Sequence, residues 1–297
     1  MQLLQFFMAK LKCSFLWRSF RYYVFTRTDL SFLGFNKTNL RHFERMGTNE
    51  DSVLFFSSNV ERVDAVINTL ADEKSKKMYL GMIKYRQTRR RNDFPLQSPP
   101  KNQYFIKEFA LTKNEVFIDG GAFIGDTISK FLACGKGYRQ IIAFEPGTVN
   151  FKKLTKTYGK QPRISLINAC ICDYDGEVSF CDASGMNSRI TDSKRSSERD
   201  WGGSGVNNIV NSKTIDGLEM EMVSFIKMDI EGAELNALKG AEKTILRDKP
   251  KLAICIYHSD EDMISIAEYI HKLVPEYKLY VRHHGVGYLE TVLYATV

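Results

Sequence analysis

The spacing of apolar positions changes near residue 104. Between residues 58 and 90, apolar side chains recur every three or four positions, which predicts two helices separated by a polar break over 72–75. After residue 104, short apolar runs alternate with amphipathic stretches, a pattern typical of a mostly parallel sheet with helices on both faces. The proline-rich stretch RRRNDFPLQSPPKNQ between them predicts a linker. We therefore divide the chain into a helical region, 1–100, and a sheet domain, 101–297.

The runs that predict strands are EVFID, QIIAFE, ISLINACI, EVSFCD, VSFIKMDI, KLAICIYH, YKLYVRHH and LETVLYATV. Helices are predicted for GDTISKFLA and for residues 147–159, 234–246 and 261–273. The last two strands flank the short GVGY segment, which predicts an antiparallel hairpin at the sheet edge. A polar stretch over 183–211 interrupts the alternation, and it is either a substrate lid or a surface insertion.

Composition and charge narrow the possible classes of protein. The 297 residues are 43% hydrophobic and 26% charged, as in ordinary globular proteins, and no apolar run reaches the ~18 residues of a membrane span. The net charge is +7, but residues 1–100 hold 17 basic and 9 acidic side chains, whereas residues 101–297 hold 25 and 26. The sheet domain therefore lacks the basic excess that is typical of nucleic-acid binding.

The six cysteines form no CxxC pair, which favours reduced thiols in a cytoplasmic protein. Cys170 and Cys172 leave a zinc or redox site as an alternative. Residues 1–25 mix large apolar side chains with lysine and arginine, and they have no typical signal-peptide cleavage site. We interpret this segment as an amphipathic helix that either packs on the main domain or makes a peripheral contact with an anionic membrane.

The sequence VFIDGGAFIGDT joins the first predicted strand to a helix and carries more glycines than a simple turn requires. Asp119 ends the strand, Gly120 and Gly121 allow a tight turn, and Gly125 lets the helix start close to a ligand. The order differs from the GxGxxG dinucleotide fingerprint, and an acid beside the turn would repel a pyrophosphate. The site instead suits the ammonium group of a methionine moiety, as in S-adenosylmethionine, and we add Thr127 to the predicted cofactor-binding residues.

Other candidate cofactor residues follow the next two strands. Glu145 lies 26 residues after Asp119 and could accept hydrogen bonds from two ribose hydroxyls. Its alternative role is that of a helix N-terminal acid next to Pro146. Asn168, at the end of the third strand, could bond the adenine edge. With their neighbours Pro146 and Ala169, and with Asp229 at the end of a later strand, these residues complete the predicted cofactor site.

The motifs IDGGAFIG, AFEP, INACICDYDGEVSF and above all FIKMDIEGAELNALKGAE resemble the FkbM-type methyltransferases. The resemblance covers residues 104–297, although the family more often has an asparagine and an uncharged residue where this chain has Phe123 and Asp126. It implies a Rossmann-like class I methyltransferase sheet, mostly parallel with a C-terminal antiparallel hairpin, next to the helical N-terminal region. It also implies S-adenosylmethionine as cofactor and a sugar or natural-product hydroxyl as acceptor. The C-terminal segment and ADEKSKKMYLGMIKYRQT are similar to a subgroup associated with bacterial surface-polysaccharide genes.

Methyl transfer to an alcohol needs positioning and a base that removes the hydroxyl proton. Asp229, His258 and the pair His283 and His284 end three successive predicted strands. We rank His258 first as base because neutral imidazole is the usual choice near pH 7, and we add His283 as a second candidate. Asp229 could orient the acceptor or hold a divalent metal, although we predict no resident metal. Glu231 and Glu234 follow Asp229, and Glu234 is expected to cap its own helix.

The sequence thus predicts a cytoplasmic O-methyltransferase that uses S-adenosylmethionine and acts on a carbohydrate hydroxyl, with no nucleic-acid partner. One alternative is an RNA or other nucleic-acid methyltransferase, which only the basic first third of the chain favours. The other alternative is a non-catalytic scaffold that attaches to membranes through residues 1–25.

Overall fold

The computed structural model describes residues 49–182, 189–190, 206–285 and 287–297. The predicted amphipathic helix over 1–25 lies outside the described residues, as does most of the predicted polar loop over 183–211. The remaining end of that loop was predicted wrongly, because residues from 206 onward form a strand.

Three helices form the described part of the N-terminal region: α1 Glu50–Ser58, α2 Val60–Thr69 and α3 Glu73–Thr88. The two helices predicted over 58–90 correspond to α2 and α3, whereas α1 precedes that range. The predicted break lies near residue 72, where Asp72 caps α3 by accepting a hydrogen bond from the Ser75 amide at 2.6 Å. None of the helices that the described residues form is long and apolar enough to cross a membrane.

Within the described residues, eleven strands follow in chain order: β1 Val116–Gly120, β2 Gln140–Phe144, β3 Ile164–Ile167, β4 Cys170–Ile171, β5 Gly176–Asp182, β6 Arg189–Ile190, β7 Val206–Lys213, β8 Phe225–Met228, β9 Lys251–Cys255, β10 Lys278–His283 and β11 Thr291–Thr296. The helices between them are α4 Asp126–Ala133, α5 Thr148–Tyr158, α6 Glu234–Lys239, α7 Glu242–Asp248 and α8 Asp260–Leu273.

The main sheet has seven strands in the order β3-β2-β1-β8-β9-β11-β10. The first five of these are parallel to one another, and the β10–β11 hairpin is antiparallel, as the sequence predicted. The strand order reverses between β1 and β8, where open parallel sheets bind ligands. A second sheet has the order β4-β7-β5-β6. The predicted strand ISLINACI is divided between the two sheets, because β3 belongs to the main sheet and β4 to the second.

Alternate side chains of the main sheet enter two apolar cores. Phe117 and Phe225 stack at 4.8 Å on one face, whereas Ile118 and Ile226 belong to the core on the other face. These side chains are fully buried, which explains why the central strands appear in the sequence as continuous apolar runs.

The N-terminal helices share the second of these cores with the sheet. Buried Tyr79 of α3 donates a hydrogen bond to the Met263 carbonyl of α8, and Arg86 forms a buried ion pair with Asp260 at 2.5 Å. At strand β10, the Ala71 amide donates to the Leu279 carbonyl. The division between 1–100 and 101–297 stays a prediction, but residues 49–88 pack directly on the domain that follows.

Two predicted elements end earlier than expected. The helix predicted over 234–246 is divided into α6 and α7 near Gly240, where an added Cβ would lie 2.0 Å from the Cys172 carbonyl oxygen. Strand β9 ends at Cys255, so His258 lies in the turn before α8 and not on the strand. Because His258 lies in this turn, its neighbours differ from those of a residue at the end of a strand.

Candidate active site

A cavity opens at the carboxyl ends of β1, β2 and β8. Its lining residues come from the strand-to-helix turns, from the second sheet and from the segment before β11. They are Tyr104, Gly121, Phe123, Asp126, Thr127, Phe144, Glu145, Pro146, Asn150, Ala169, Cys170, Ile171, Phe180, Ile190, Lys227, Asp229, Ile230, Glu231, Ala233, Tyr257, Leu289 and Glu290. This is the position at which an open parallel sheet is expected to bind its ligand.

The predicted glycine turn forms one wall of the cavity. Gly121 has a φ of +73°, and an added Cβ would lie 2.1 Å from the Asp229 carbonyl oxygen. Gly125 has a φ of +91°, but its missing side chain makes room for the Tyr158 ring, and Gly125 does not line the cavity. Gly121 therefore serves the cavity, whereas Gly125 serves the packing of α4 on α5.

Below the cavity lies a buried ion pair that the sequence analysis missed. The Asp119 carboxylate is 3.0 Å from Lys227 Nζ, and this ammonium group also donates to the carbonyls of Gly120 and Gly121 at 2.9 Å each. Burial opposes the charge on Lys227, but Asp119 and Asp229 raise its pKa above the ordinary value. Asp119 therefore pairs with Lys227 and does not line the cavity, and its contact with a ligand ammonium stays a prediction.

Glu145 reaches the cavity from the end of β2. One carboxylate oxygen accepts from the Gly147 amide and the other from the Phe123 amide, both at 2.9 Å. Burial outweighs these bonds and raises the pKa of Glu145 to about 7. Asn168, in contrast, donates to the carbonyls of Glu145 and Pro146 and stays outside the lining, so it ties two strand ends together.

Six of the ten predicted cofactor residues line the cavity: Gly121, Thr127, Glu145, Pro146, Ala169 and Asp229. The other four, Asp119, Gly120, Gly125 and Asn168, support the turns around it.

Asp229 is held on the opposite side of the cavity by two tyrosines. Tyr257 donates to Oδ1 at 2.8 Å, and Tyr104 donates to Oδ2 at 2.9 Å. Burial disfavours the carboxylate, but Lys227, His258 and these hydrogen bonds together lower its pKa below the ordinary value. Asp229 is therefore a fixed anion near neutral pH.

His258 does not line the cavity, and it is surrounded by carboxylates. Its Nδ1 is 3.2 Å from Glu234 Oε1, and its Nε2 is 3.5 Å from Asp229 Oδ1 and 3.6 Å from Glu231 Oε2. Burial opposes protonation, but the three acids outweigh it and raise the pKa of His258 to about 10. The ring is an imidazolium at pH 7, so the neutral imidazole on which its predicted role as base depended is not present.

Asp229, Glu234 and His258 also offer one ligand atom each within 4.8 Å of one another. Glu234, however, uses both carboxylate oxygens to accept backbone amides, from Ile230 at 2.8 Å and from Gly232 at 3.0 Å. The His258 imidazolium supplies one positive charge beside these acids. No such cluster among the described residues includes Cys170 or Cys172.

His283 and His284 are buried away from the cavity, so the structure does not bring the predicted second base to the site. His283 bonds Thr291 Oγ1 and the Gly285 carbonyl, and His284 bonds the Pro99 carbonyl and the Tyr294 hydroxyl. Burial lowers the pKa of His283 to about 3 and that of His284 to about 4. Both rings are therefore neutral structural groups.

The two neutral histidines predict a loss of stability in acid. Each binds a proton in the unfolded chain below pH ~6.5 but stays neutral in the folded chain, so lower pH favours unfolding by ~1.4 kcal/mol per pH unit for each ring. Glu145, Glu231 and His258, whose pKa values are raised, shift the stability in the opposite direction, so the test is a comparison of slopes. In urea unfolding at pH 7, 6 and 5, the loss of stability towards low pH should be smaller in His283→Asn than in the wild type by the contribution of one ring. A variant with the wild-type slope between pH 6 and 5 would contradict the assignment.

Several lining residues were missed by the sequence analysis. Lys227 gave a signal, since a lysine inside the buried run FIKM needs a partner on a neighbouring strand, and β1 pairs Asp119 with it in register. Tyr104, Tyr257 and Glu290 gave no comparable signal, because aromatic and acidic residues at strand ends are common.

Known proteins with a similar sequence or fold are methyltransferases. The family model described as the methyltransferase FkbM domain matches residues 119–285. None of the curated proteins matches the sequence. The crystal structure of the methyltransferase FkbM from Methylobacillus flagellatus KT superposes with a TM-score of 0.68 at 24% identity, over 82% of this chain and 60% of that one. The chain thus spans 60% of that protein's length, and the likeness shows a shared fold.

Two further solved structures are more distant. A putative methyltransferase from Streptococcus mutans, in complex with SAH, has a TM-score of 0.42 at 11% identity over 68% of this chain and 100% of that one. An rRNA methylase from Streptococcus thermophilus has a TM-score of 0.39 at 13% identity over 63% and 89%. Neither likeness is close enough to carry an argument about the acceptor.

Proposed function

This chain belongs to the FkbM methyltransferase family, and from that premise we propose that it transfers a methyl group from S-adenosylmethionine to a hydroxyl of a carbohydrate or a related natural product. The cofactor supplies an electrophilic methyl group on a sulfonium. The protein has to bind the two reactants, align them and accept the hydroxyl proton.

The half of the cavity beside β1 and β2 fits the cofactor. Gly121 brings bare backbone to the wall of the cavity, and Glu145 is placed to accept hydrogen bonds from ribose hydroxyls. Ile171, Phe180 and Ile190 supply an apolar surface suited to the adenine ring. These contacts would hold the nucleoside, with its methionine part directed towards Asp229.

We infer the type of acceptor from the side chains that line the other half of the cavity, beside β8. Asp229, Glu231 and Glu290 line it together with the hydroxyl groups of Tyr104 and Tyr257. Carboxylates accept hydrogen bonds from hydroxyls and repel phosphates. This lining supports a neutral polyhydroxyl acceptor and disfavours a nucleic acid.

Calorimetric titration with S-adenosylmethionine tests the cofactor half, with NAD as the comparison ligand. We expect binding of the former alone, and we expect Glu145→Gln to weaken it by a factor of about 10 to 100 because a charge-assisted hydrogen bond is lost. Glu177→Gln, the same change at an exposed position, is the matched control. A folded sample that binds NAD and not S-adenosylmethionine would refute the proposal.

A second experiment tests the acceptor. The enzyme is incubated with methyl-labelled S-adenosylmethionine and either neutral glycosides or RNA, and the product is then treated with mild base. An O-methyl ether on a sugar survives this treatment, whereas a methyl ester does not. Transfer to RNA without transfer to any glycoside would favour the nucleic-acid alternative.

A further inference from the structure

The acid-rich turn after β8 places four titratable side chains around one point. Asp229, Glu231 and Glu234 come from the turn and the start of α6, and His258 comes from the segment between β9 and α8. Glu290, from the segment before β11, faces the same region of the cavity. Only one of these groups has the surroundings that a proton acceptor for a substrate hydroxyl requires.

The backbone aims Glu231 into the cavity. Glu231 has a φ of +58° and Gly232 a φ of +94°, so the turn passes through the left-handed region twice in succession. The Glu234 carboxylate fixes this turn by accepting the amides of Ile230 and Gly232. A glutamate in this conformation costs free energy, and such strain at a cavity wall is typical of functional positions.

Exposure and hydrogen bonding distinguish the three acids. Glu231 lines the cavity with 30% of its side chain exposed, whereas Glu234 is fully buried and its two oxygens are occupied by amides. Asp229 is bonded by two tyrosines, which stabilise its anion and make it a weak base. Among the described residues, none donates a hydrogen bond to the Glu231 carboxylate, and His258 at 3.6 Å is its ion-pair partner.

We propose that Glu231 is the catalytic base and that His258 is a positioning residue that holds the Glu231 and Asp229 carboxylates. This inference rests on the proposed function. In the transfer step, the acceptor oxygen forms a bond to the methyl carbon, and the carbon–sulfur bond breaks. The electron pair of that bond stays on sulfur, which becomes a neutral thioether. The hydroxyl proton passes to the Glu231 carboxylate, so charge and atoms balance.

The electrostatic surroundings are consistent with this division of roles. Burial raises the pKa of Glu231 to about 8; His258 opposes that shift, whereas Asp229, Glu234 and Glu290 add to it. A base with a pKa near the working pH is well matched to proton transfer. His258, with its higher pKa, keeps its proton over the same range.

The pH dependence of turnover is the first test, with the neutral glycoside accepted in the labelling experiment as substrate. The rate should rise as pH passes through about 8, because Glu231 must lose its proton, and fall near pH 10, where His258 loses its charge. Glu231→Gln should lower kcat by a factor of ~10² or more with unchanged S-adenosylmethionine affinity. Glu219→Gln is the matched control, since Glu219 is also left-handed but exposed and outside the cavity.

A second variant separates positioning from catalysis. His258→Gln removes the positive charge that lowers the pKa of Glu231, so the rising limb of the pH profile should move to higher pH and persist. If His258 were the base, this variant would lose the rising limb and Glu231→Gln would keep it, which would overturn the inference. Loss of transfer in EDTA, with recovery on adding Mg²⁺ or Mn²⁺, would also overturn it by assigning the cluster to a metal.

The protonation of Glu231 can also be measured without any methyl transfer, so that this result does not depend on finding an acceptor. Carbon-13 NMR of the glutamate carboxyl groups in the full chain should show one resonance that titrates near pH 8 and is missing in Glu231→Gln. Wild-type protein that shows this titration but methylates no hydroxyl would refute the proposed function alone. Wild-type protein that methylates a glycoside while Glu231→Gln retains its kcat would refute only the role of Glu231.

Discussion

Replacing Lys227 with methionine should lower the free energy of unfolding by about 3–5 kcal/mol, the range found when one partner of a buried ion pair is removed. The side chain is 1% exposed and balances the charge of Asp119, which is fully buried. The change would also leave two carbonyls at the end of β1 without their donor. Urea unfolding monitored by circular dichroism would measure the difference.

Two comparisons make this prediction specific. Adding Asp119→Asn to Lys227→Met should recover part of the loss, because no buried charge then lacks a partner. Lys251→Met is the matched control, since Glu115 would keep hydrogen bonds from the Thr112 amide and the Ser224 hydroxyl. Equal losses from Lys227→Met and Lys251→Met would show that the pair under the cavity has no special importance.

Gly121→Ala should both destabilise the fold and lower methyl transfer by a factor of ~10² or more, because a shift of about 1 Å in a site has effects of that size. The new Cβ would lie 2.1 Å from the Asp229 carbonyl oxygen, so the backbone of β1 or of the turn after β8 has to move. That movement changes the positions of both Asp229 and the adjoining Glu231 turn. Stability and kcat are measured on the same preparation.

Gly135→Ala is the control for the backbone conformation alone. Gly135 has a φ of +67°, close to the +73° of Gly121, but nothing lies within 4 Å of an added Cβ. It should therefore cost only the ~1–2 kcal/mol of a left-handed alanine and leave kcat unchanged. If the two variants lost similar stability and similar activity, the close approach of β1 to the Asp229 backbone would not matter.

The sequence predicted most of the fold because the central strands and their helices have strong periodic patterns. The β1–α4 turn and the C-terminal hairpin both follow from such patterns. The boundaries that were missed depend on contacts between distant segments. Gly240 divides a predicted helix because it packs against the Cys172 backbone, and no local pattern contains that information.

The candidate site was predictable in position but not in charge. Glu145 and Asp229 were located correctly at strand ends, since residues after parallel strands meet at one edge of the sheet. The protonation of His258 depends on three carboxylates, from the turn after β8 and the start of α6, that the fold brings within 4 Å of its ring. The ordinary pKa of histidine does not contain this information. From its residue type alone, His258 was therefore predicted to be a neutral base, whereas in the folded protein it is a cation.

The contact between the N-terminal helices and β10 has a consequence for how the molecule behaves in a crowded solution. Strand β10 is the outermost strand of the main sheet, and such an edge can recruit strands from other molecules. Here the Ala71 amide, the Ser75 hydroxyl and the Ser98 amide take up backbone groups of Leu279, Val281 and His283. Residues 71–98 thus protect the sheet against intermolecular strand addition, and a fragment that begins at residue 101 would present an aggregation-prone edge.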